Sequence, residues 1–154
     1  MNINNFEHLI ATKNRFRLNK ADLNEIKEKL LNKNILITGA AGSIGKKFSQ
    51  YLVKNFKFKK IFFLDKNENA LTDLNRDLNI INLKNKITFL FLKISSEDIT
   101  KILNKNKIDY YFNFAALKHV RSEENENSLE YMYMTNVLSF FNVKNKPRHL
   151  KLLF

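Results

Sequence analysis

Residues 35–45 read ILITGAAGSIG. Ile35, Leu36 and Ile37 are a short apolar run of strand-forming residues, and they lead directly into Gly39, Gly42 and Gly45, spaced three apart. An apolar run that stops at regularly spaced glycines predicts a buried strand, a tight turn and the start of a helix. At such a junction the backbone N–H groups and the positive end of the helix dipole face outward, where an anion such as phosphate is favoured. The chain has only these three glycines, so they are not scattered linker residues. A nucleotide-triphosphatase phosphate loop needs four residues between its glycines, followed by Lys and then Ser or Thr. Here five residues separate Gly39 from Gly45, and Lys47 stands where the hydroxyl is required, which excludes that loop.

Two readings remain, a purely structural turn and a dinucleotide-binding turn, and the second makes specific demands. Gly39 would allow the sharp bend, Gly42 would let a pyrophosphate approach the backbone, and Gly45 would let the helix pack closely. Ser43 and Ile44, between the last two glycines, complete the candidate cofactor-binding loop. This reading demands an acidic residue at the end of the next strand, about twenty residues on, to hold the adenosine ribose. Asp65 ends IFFLD (61–65) and meets that demand. Its carboxylate favours NAD by repelling a 2′-phosphate, whereas the adjacent Lys66 could pair with one, so NAD and NADP both stay open.

Outward from the glycines, apolar clusters recur at 34–38 (NILIT), 61–65, 87–92 (ITFLFL) and 109–116 (DYYFNFAA). Each is nearly continuous rather than alternating, as strands are when both faces are covered. Segments with helical spacing lie between them: Ile44, Phe48 and Leu52; Leu71, Leu74, Leu78 and Ile81; Ile99, Ile102 and Leu103. The alternation predicts an α/β fold of the Rossmann type, a doubly wound parallel sheet of about four strands that is incomplete. Ahead of it, 19–31 places Leu23, Ile26 and Leu30 on one helical face, with Asn19 as N-cap and Asp22 three residues later. Beyond 128, helical spacing runs through Leu129, Met132, Tyr133, Val137 and Phe140.

Composition narrows the function classes. The formal charge of +12 comes from 27 Lys and Arg against 15 Asp and Glu, but the lysines are interspersed with asparagine rather than clustered. No helix-turn-helix, zinc-finger or aromatic RNA-binding signature accompanies them, so no nucleic-acid partner is expected. No apolar stretch approaches the roughly twenty residues that a membrane span needs, and no membrane partner is expected. The absence of cysteine and of a secretory signal pattern fits a cytoplasmic location. The three histidines, His8, His119 and His149, are too dispersed for a local metal motif.

Four segments together, TGAAGSIG, LDKNENAL, NFAALKHVRSEEN and TNV, resemble extended short-chain dehydrogenases, and specifically the polysaccharide-biosynthesis branch of nucleotide-sugar 4,6-dehydratases acting on UDP-N-acetylglucosamine. The resemblance spans about residues 15–142. It implies NADP or NAD as cofactor and a nucleotide sugar like UDP-N-acetylglucosamine as the partner of a full-length member, with a homo-oligomer left open. It also implies cofactor contacts from Ala115, Ala116 and Lys118, contact of Lys118 and His119 with cofactor or sugar nucleotide, and a supporting role for Asn136. Two departures stand out. Lys93 occupies the position where the family has an adenine-binding Asp. The family's Tyr-x-x-x-Lys pair is also missing, since none of Tyr51, Tyr110, Tyr111, Tyr131 and Tyr133 has a lysine four positions later.

These readings divide the chain into a helical extension (1–33), the first half of an NAD(P)-binding domain (34–142) and a divergent tail (143–154), as after a truncation or frameshift. No catalytic and no metal-binding residue is assigned. The expected function is the NAD(P)-binding portion of a 4,6-dehydratase, inactive alone. The alternatives are a non-catalytic dinucleotide-binding module or a fragment of a related epimerase or reductase. With no fifth strand expected, the apolar YYFNF run becomes an uncovered sheet edge that should recruit other chains.

Overall fold

The computed structural model describes residues 18–79, 83, 86–92, 96–117, 126–138 and 150–153. Helix α1 (Lys20–Leu30) leads into β1 (Asn34–Thr38), α2 (Ser43–Asn55), β2 (Lys60–Asp65), α3 (Glu68–Asn79), β3 (Ile87–Phe91), α4 (Ser96–Lys105), β4 (Tyr110–Asn113), α5 (Glu126–Tyr133), a π turn (Met134–Leu138) and β5 (Lys151–Leu153). The strands form one sheet in the order β3-β2-β1-β4-β5, and every pairing is parallel. The chain reverses its direction of growth between β3 and β4. That crossover carries β4 to the far side of β1 and opens a crevice at the carboxyl ends of the central strands.

The continuous apolar character of the strands follows from burial on both faces. Ile35 and Ile37 of β1 join Ile61 and Phe63 of β2 and the α2 and α3 residues Leu52, Val53, Leu71, Leu74 and Leu78 on one face. Leu36, Phe62 and Leu64 point the other way, onto Ile99 and Leu103 of α4. Tyr110 and Tyr111 divide between the two faces in the same manner. Helix α1 begins as read: Asn19 accepts from the Asp22 N–H at 2.8 Å while the Asp22 carboxylate accepts from the Asn19 N–H at 3.2 Å, a reciprocal cap. Leu23 and Ile26 pack against the α2 side of the core.

Three expectations change. The β4 edge is covered, because Lys151–Leu153 pairs with Tyr110, Tyr111 and Phe112. A three-residue strand is too short for its periodicity to be seen in sequence. Ile44 does not share a buried face with Phe48 and Leu52: it is 61% exposed, because the first turn of α2 projects past the carboxyl end of the sheet and has no strand beneath it. The apolar stripe on α5 is also largely open, with Leu129 and Tyr133 exposed. Ile81 and Phe140 lie outside the described residues.

Candidate functional site

A cleft of about 250 Å³ lies at the carboxyl ends of β1, β2 and β4. It is lined by Gly39, Ala41 and Gly42 from the first turn, Asp65, Lys66, Asn67 and Ala70 from the second, Phe114 to Leu117 after β4, and Tyr131 of α5. The fold thus brings together the glycine loop, Asp65, Lys66, Ala115 and Ala116, which are far apart in sequence. Ser43 and Ile44 form the first turn of α2 at the mouth of the glycine loop and are exposed. Lys118, His119 and Lys93 lie outside the described residues.

The three glycines have different surroundings. Gly39 has φ +64°, and a Cβ there would lie 2.5 Å from the Phe114 carbonyl carbon and 2.6 Å from the Ala115 nitrogen. The β1 turn and the loop after β4 therefore touch backbone to backbone. At Gly45 a Cβ would lie 2.0 Å from the Gly39 oxygen, so the start of α2 rests directly on the turn. Gly42 is different: its Cβ would meet only the Gly39 oxygen, at 3.3 Å. Two glycines are required by packing, and the middle one keeps the cleft open. Gly42 is also the N-cap of α2 without a side-chain acceptor, and the first turn carries no acidic residue. The helix therefore presents its positive end to the cleft with no acidic residue of its own first turn to neutralise it.

Asp65 is buried, with 9% of its surface exposed. Its Oδ2 accepts from the Ala41 N–H at 3.0 Å and its Oδ1 from the Asn67 N–H at 3.1 Å. One carboxylate thereby ties the first turn to the second. An ionised carboxylate offers about four lone-pair sites, so acceptor capacity remains toward the cleft for hydroxyl donors. Asn67 in turn starts α3, accepting from the Ala70 N–H at 3.1 Å.

The wall after β4 is built by polar groups that periodicity did not single out. Asn113 Oδ1 accepts from the Thr38 hydroxyl at 2.6 Å and from the Ala115 N–H at 3.2 Å. With the Thr38 hydrogen committed to Asn113, the Tyr111 hydroxyl, 3.4 Å from Thr38 Oγ1, is the donor of that weaker contact. Asn136 holds the same wall from the other side. Its Oδ1 accepts from the Leu117 N–H at 2.8 Å and its Nδ2 donates to the Leu117 carbonyl at 3.0 Å, which gives the supporting role expected of Asn136 a geometric basis. Phe48 of α2 packs on Phe112 and Phe114, with ring centroids 4.8 and 5.0 Å apart. The resemblance singled out Asn136 of this network, and Asn113 was marked only as an asparagine interrupting the aromatic run YYFNF.

Burial pushes the Tyr111 hydroxyl up to about 12, an effect only partly offset by its contact with Thr38. A raised pKa means that the folded state holds the proton more tightly than the unfolded chain, whose tyrosine titrates near 10. This stabilisation is fully present below about pH 10 and is lost as pH rises toward 12. Urea unfolding at pH 9 and pH 11.5 should show a steeper alkaline loss for the wild type than for Tyr111→Phe, by on the order of 2 kcal/mol. Equal losses would show that Tyr111 ionises as freely as an exposed phenol.

Fold and cleft define an open α/β domain of the Rossmann type, with its cleft at the carboxyl ends of the central parallel strands. The chain belongs to the polysaccharide biosynthesis protein family, whose model matches residues 35–151. No curated protein matches it. Among solved structures, Pen from Bacillus thuringiensis is 27% identical over 74% of this chain and 34% of its own, with a TM-score of 0.62. A variant UDP-glucuronic acid 4-epimerase from Bacillus cereus, in complex with UDP-4-deoxy-4-fluoro-glucuronic acid and NAD, is 26% identical over 77% of this chain and 37% of its own, with a TM-score of 0.59. A short-chain dehydrogenase from Shigella flexneri, 20% identical with a TM-score of 0.59 over 74% of this chain and 54% of its own, shares the fold. The chain spans about a third of the length of the first and second of these proteins. Among the described residues no helix is long and apolar enough to cross a membrane, and no cluster of His, Asp or Glu could hold a metal ion.

Proposed function

We propose that this chain is the NAD(P)-binding portion of a nucleotide-sugar-modifying protein, of the 4,6-dehydratase type acting on a substrate like UDP-N-acetylglucosamine. The observation that carries the proposal is the asymmetry of the glycines. Packing explains Gly39 and Gly45, whereas Gly42 lies exposed at the N-terminus of α2, where an incoming anion can approach the backbone. Gly42, Ser43 and Ile44 would hold the pyrophosphate, Asp65 the adenosine ribose hydroxyls, Lys66 a 2′-phosphate if one is present, and Ala115, Ala116 and Lys118 the nicotinamide side. When bound, the cofactor would supply reversible hydride transfer at the sugar. The chain's own residues orient it: Asp65 joins the two turns, and Asn113 and Asn136 fix the opposite wall. No tyrosine here is followed four positions later by lysine, so the role is to hold the cofactor rather than to complete the chemistry.

The test is isothermal titration of the purified chain with NAD and with NADP. Measurable, weak binding is expected, together with its loss in Gly42→Val, whose side chain enters the cleft while its Cβ meets only one backbone oxygen. The melting temperature of that variant should stay within a few degrees of wild type. Equal binding by Gly42→Val, or no binding by the wild type, would overturn the proposal.

A further inference from the structure

Tyr131 entered the sequence reading only as one of the tyrosines with no lysine four positions later, yet it lines the cleft beside Lys66, Asn67 and Ala70. Those residues adjoin Asp65, so Tyr131 stands at the adenosine end of the cleft under the function proposed above, on which this inference rests. The Lys66 ammonium lies 5.9 Å from the centroid of the Tyr131 ring and over its plane, so the ring turns its face, not its edge, toward the β2 turn. Ala70, the α3 residue lining the same cleft, carries only a methyl group. An aromatic face turned toward a cleft is a surface on which a flat group can stack.

The π turn helps bring this face to the cleft. Asn136 lies five positions after Tyr131, and in an α-helix residues five apart are rotated by about 140°. The wider i→i+5 closure over Met134–Leu138 brings such residues nearer to a common side. Asn136 can therefore hold Leu117 while Tyr131, one turn earlier, lines the same cleft.

We infer that the Tyr131 ring is the stacking surface for the adenine base of the cofactor, and that Lys66 rests on this ring until the base takes its place. A nucleobase stacks on an aromatic face without base-specific hydrogen bonds, which is what a tyrosine face lining the cleft can offer.

The experiment titrates ADP-ribose into the full chain, Tyr131→Phe and Tyr131→Leu, reading the dissociation constant together with the NMR shifts of adenine H2 and H8. Stacking predicts upfield ring-current shifts in the wild type and in Tyr131→Phe, with affinities within about twofold of each other. Tyr131→Leu should lose the shifts and weaken binding about tenfold. A merely structural role for Tyr131 would not move the adenine shifts selectively. UDP-N-acetylglucosamine serves as the second arm: upfield uracil shifts that depend on Tyr131, with none from adenine, would overturn the assignment by giving the ring to the substrate base. Binding of ADP-ribose by wild type and Tyr131→Leu alike would overturn this inference and leave the proposed function standing, whereas no binding of ADP-ribose by the wild type would overturn both.

Discussion

Replacing Gly45 with alanine is expected to lower the stability of the protein by about 3 kcal/mol or more. Alanine is ordinarily the better helix residue by about 1 kcal/mol, so propensity predicts stabilisation. The structure reverses the sign. The new Cβ would sit 2.0 Å from the Gly39 oxygen and 2.9 Å from its carbonyl carbon, and both are backbone atoms that cannot rotate away. Relief requires α2 to lift from the turn, which would disturb the packing of Leu52 and Val53 on β1 and β2. Overpacking of a well-filled site costs about 1–3 kcal/mol and more against rigid atoms, set against a total stability of about 5–15 kcal/mol. Gly39→Ala should be comparably damaging, because it adds left-handed backbone strain to a clash with Phe114. Chemical denaturation should rank both well below Gly42→Val. A Gly45→Ala protein as stable as wild type would mean that α2 does not rest on the turn as described.

Asp65→Ala should lower stability by about 2–6 kcal/mol and, on the proposed function, abolish nucleotide binding. Both carboxylate oxygens accept backbone N–H groups, from Ala41 and from Asn67, and the carboxylate is nearly inaccessible to water. Truncation leaves two amide donors to be satisfied by whatever water can enter, at about 1–3 kcal/mol each. The two turns also lose their shared anchor, so the glycine loop and the start of α3 can move apart. Asp65→Asn separates the two contributions: it keeps one acceptor oxygen but points an NH₂ group at a backbone donor, so it should be intermediate in stability. Urea titration of the three proteins, each followed by NAD titration, measures both effects. If Asp65→Ala proved as stable as wild type, the carboxylate would not be acting as the link between the turns.

Much of the fold was legible in the sequence because its strands are buried on both faces. Ile35, Leu36 and Ile37 must all be apolar when α2 and α3 cover one side and α4 the other, and a continuous apolar run remains visible without neighbours. The glycine spacing was legible for a related reason, since a sharp turn and a close backbone approach each restrict the residue at one position. Ile44 misled because helical periodicity reports which residues share a face but not whether a strand lies beneath it. The strand Lys151–Leu153 was missed because three residues carry no period.

By itself, then, the sequence determined the strand and helix order, the parallel sheet and the place of the glycine turn, all of which depend on local pattern and on which residues avoid water. Tertiary structure decided the rest: that β5 closes the β4 edge, that Asp65 ties two turns together, that Asn113 and Asn136 brace the wall opposite the glycines, and that Tyr131 turns its ring into the cleft. Each of these depends on atoms within a few ångströms across long separations in the chain, such as Thr38 to Asn113 or Lys66 to Tyr131. Hydrogen-bond and aromatic geometry is short-ranged and directional, so it exists only once the sheet order has brought those residues side by side.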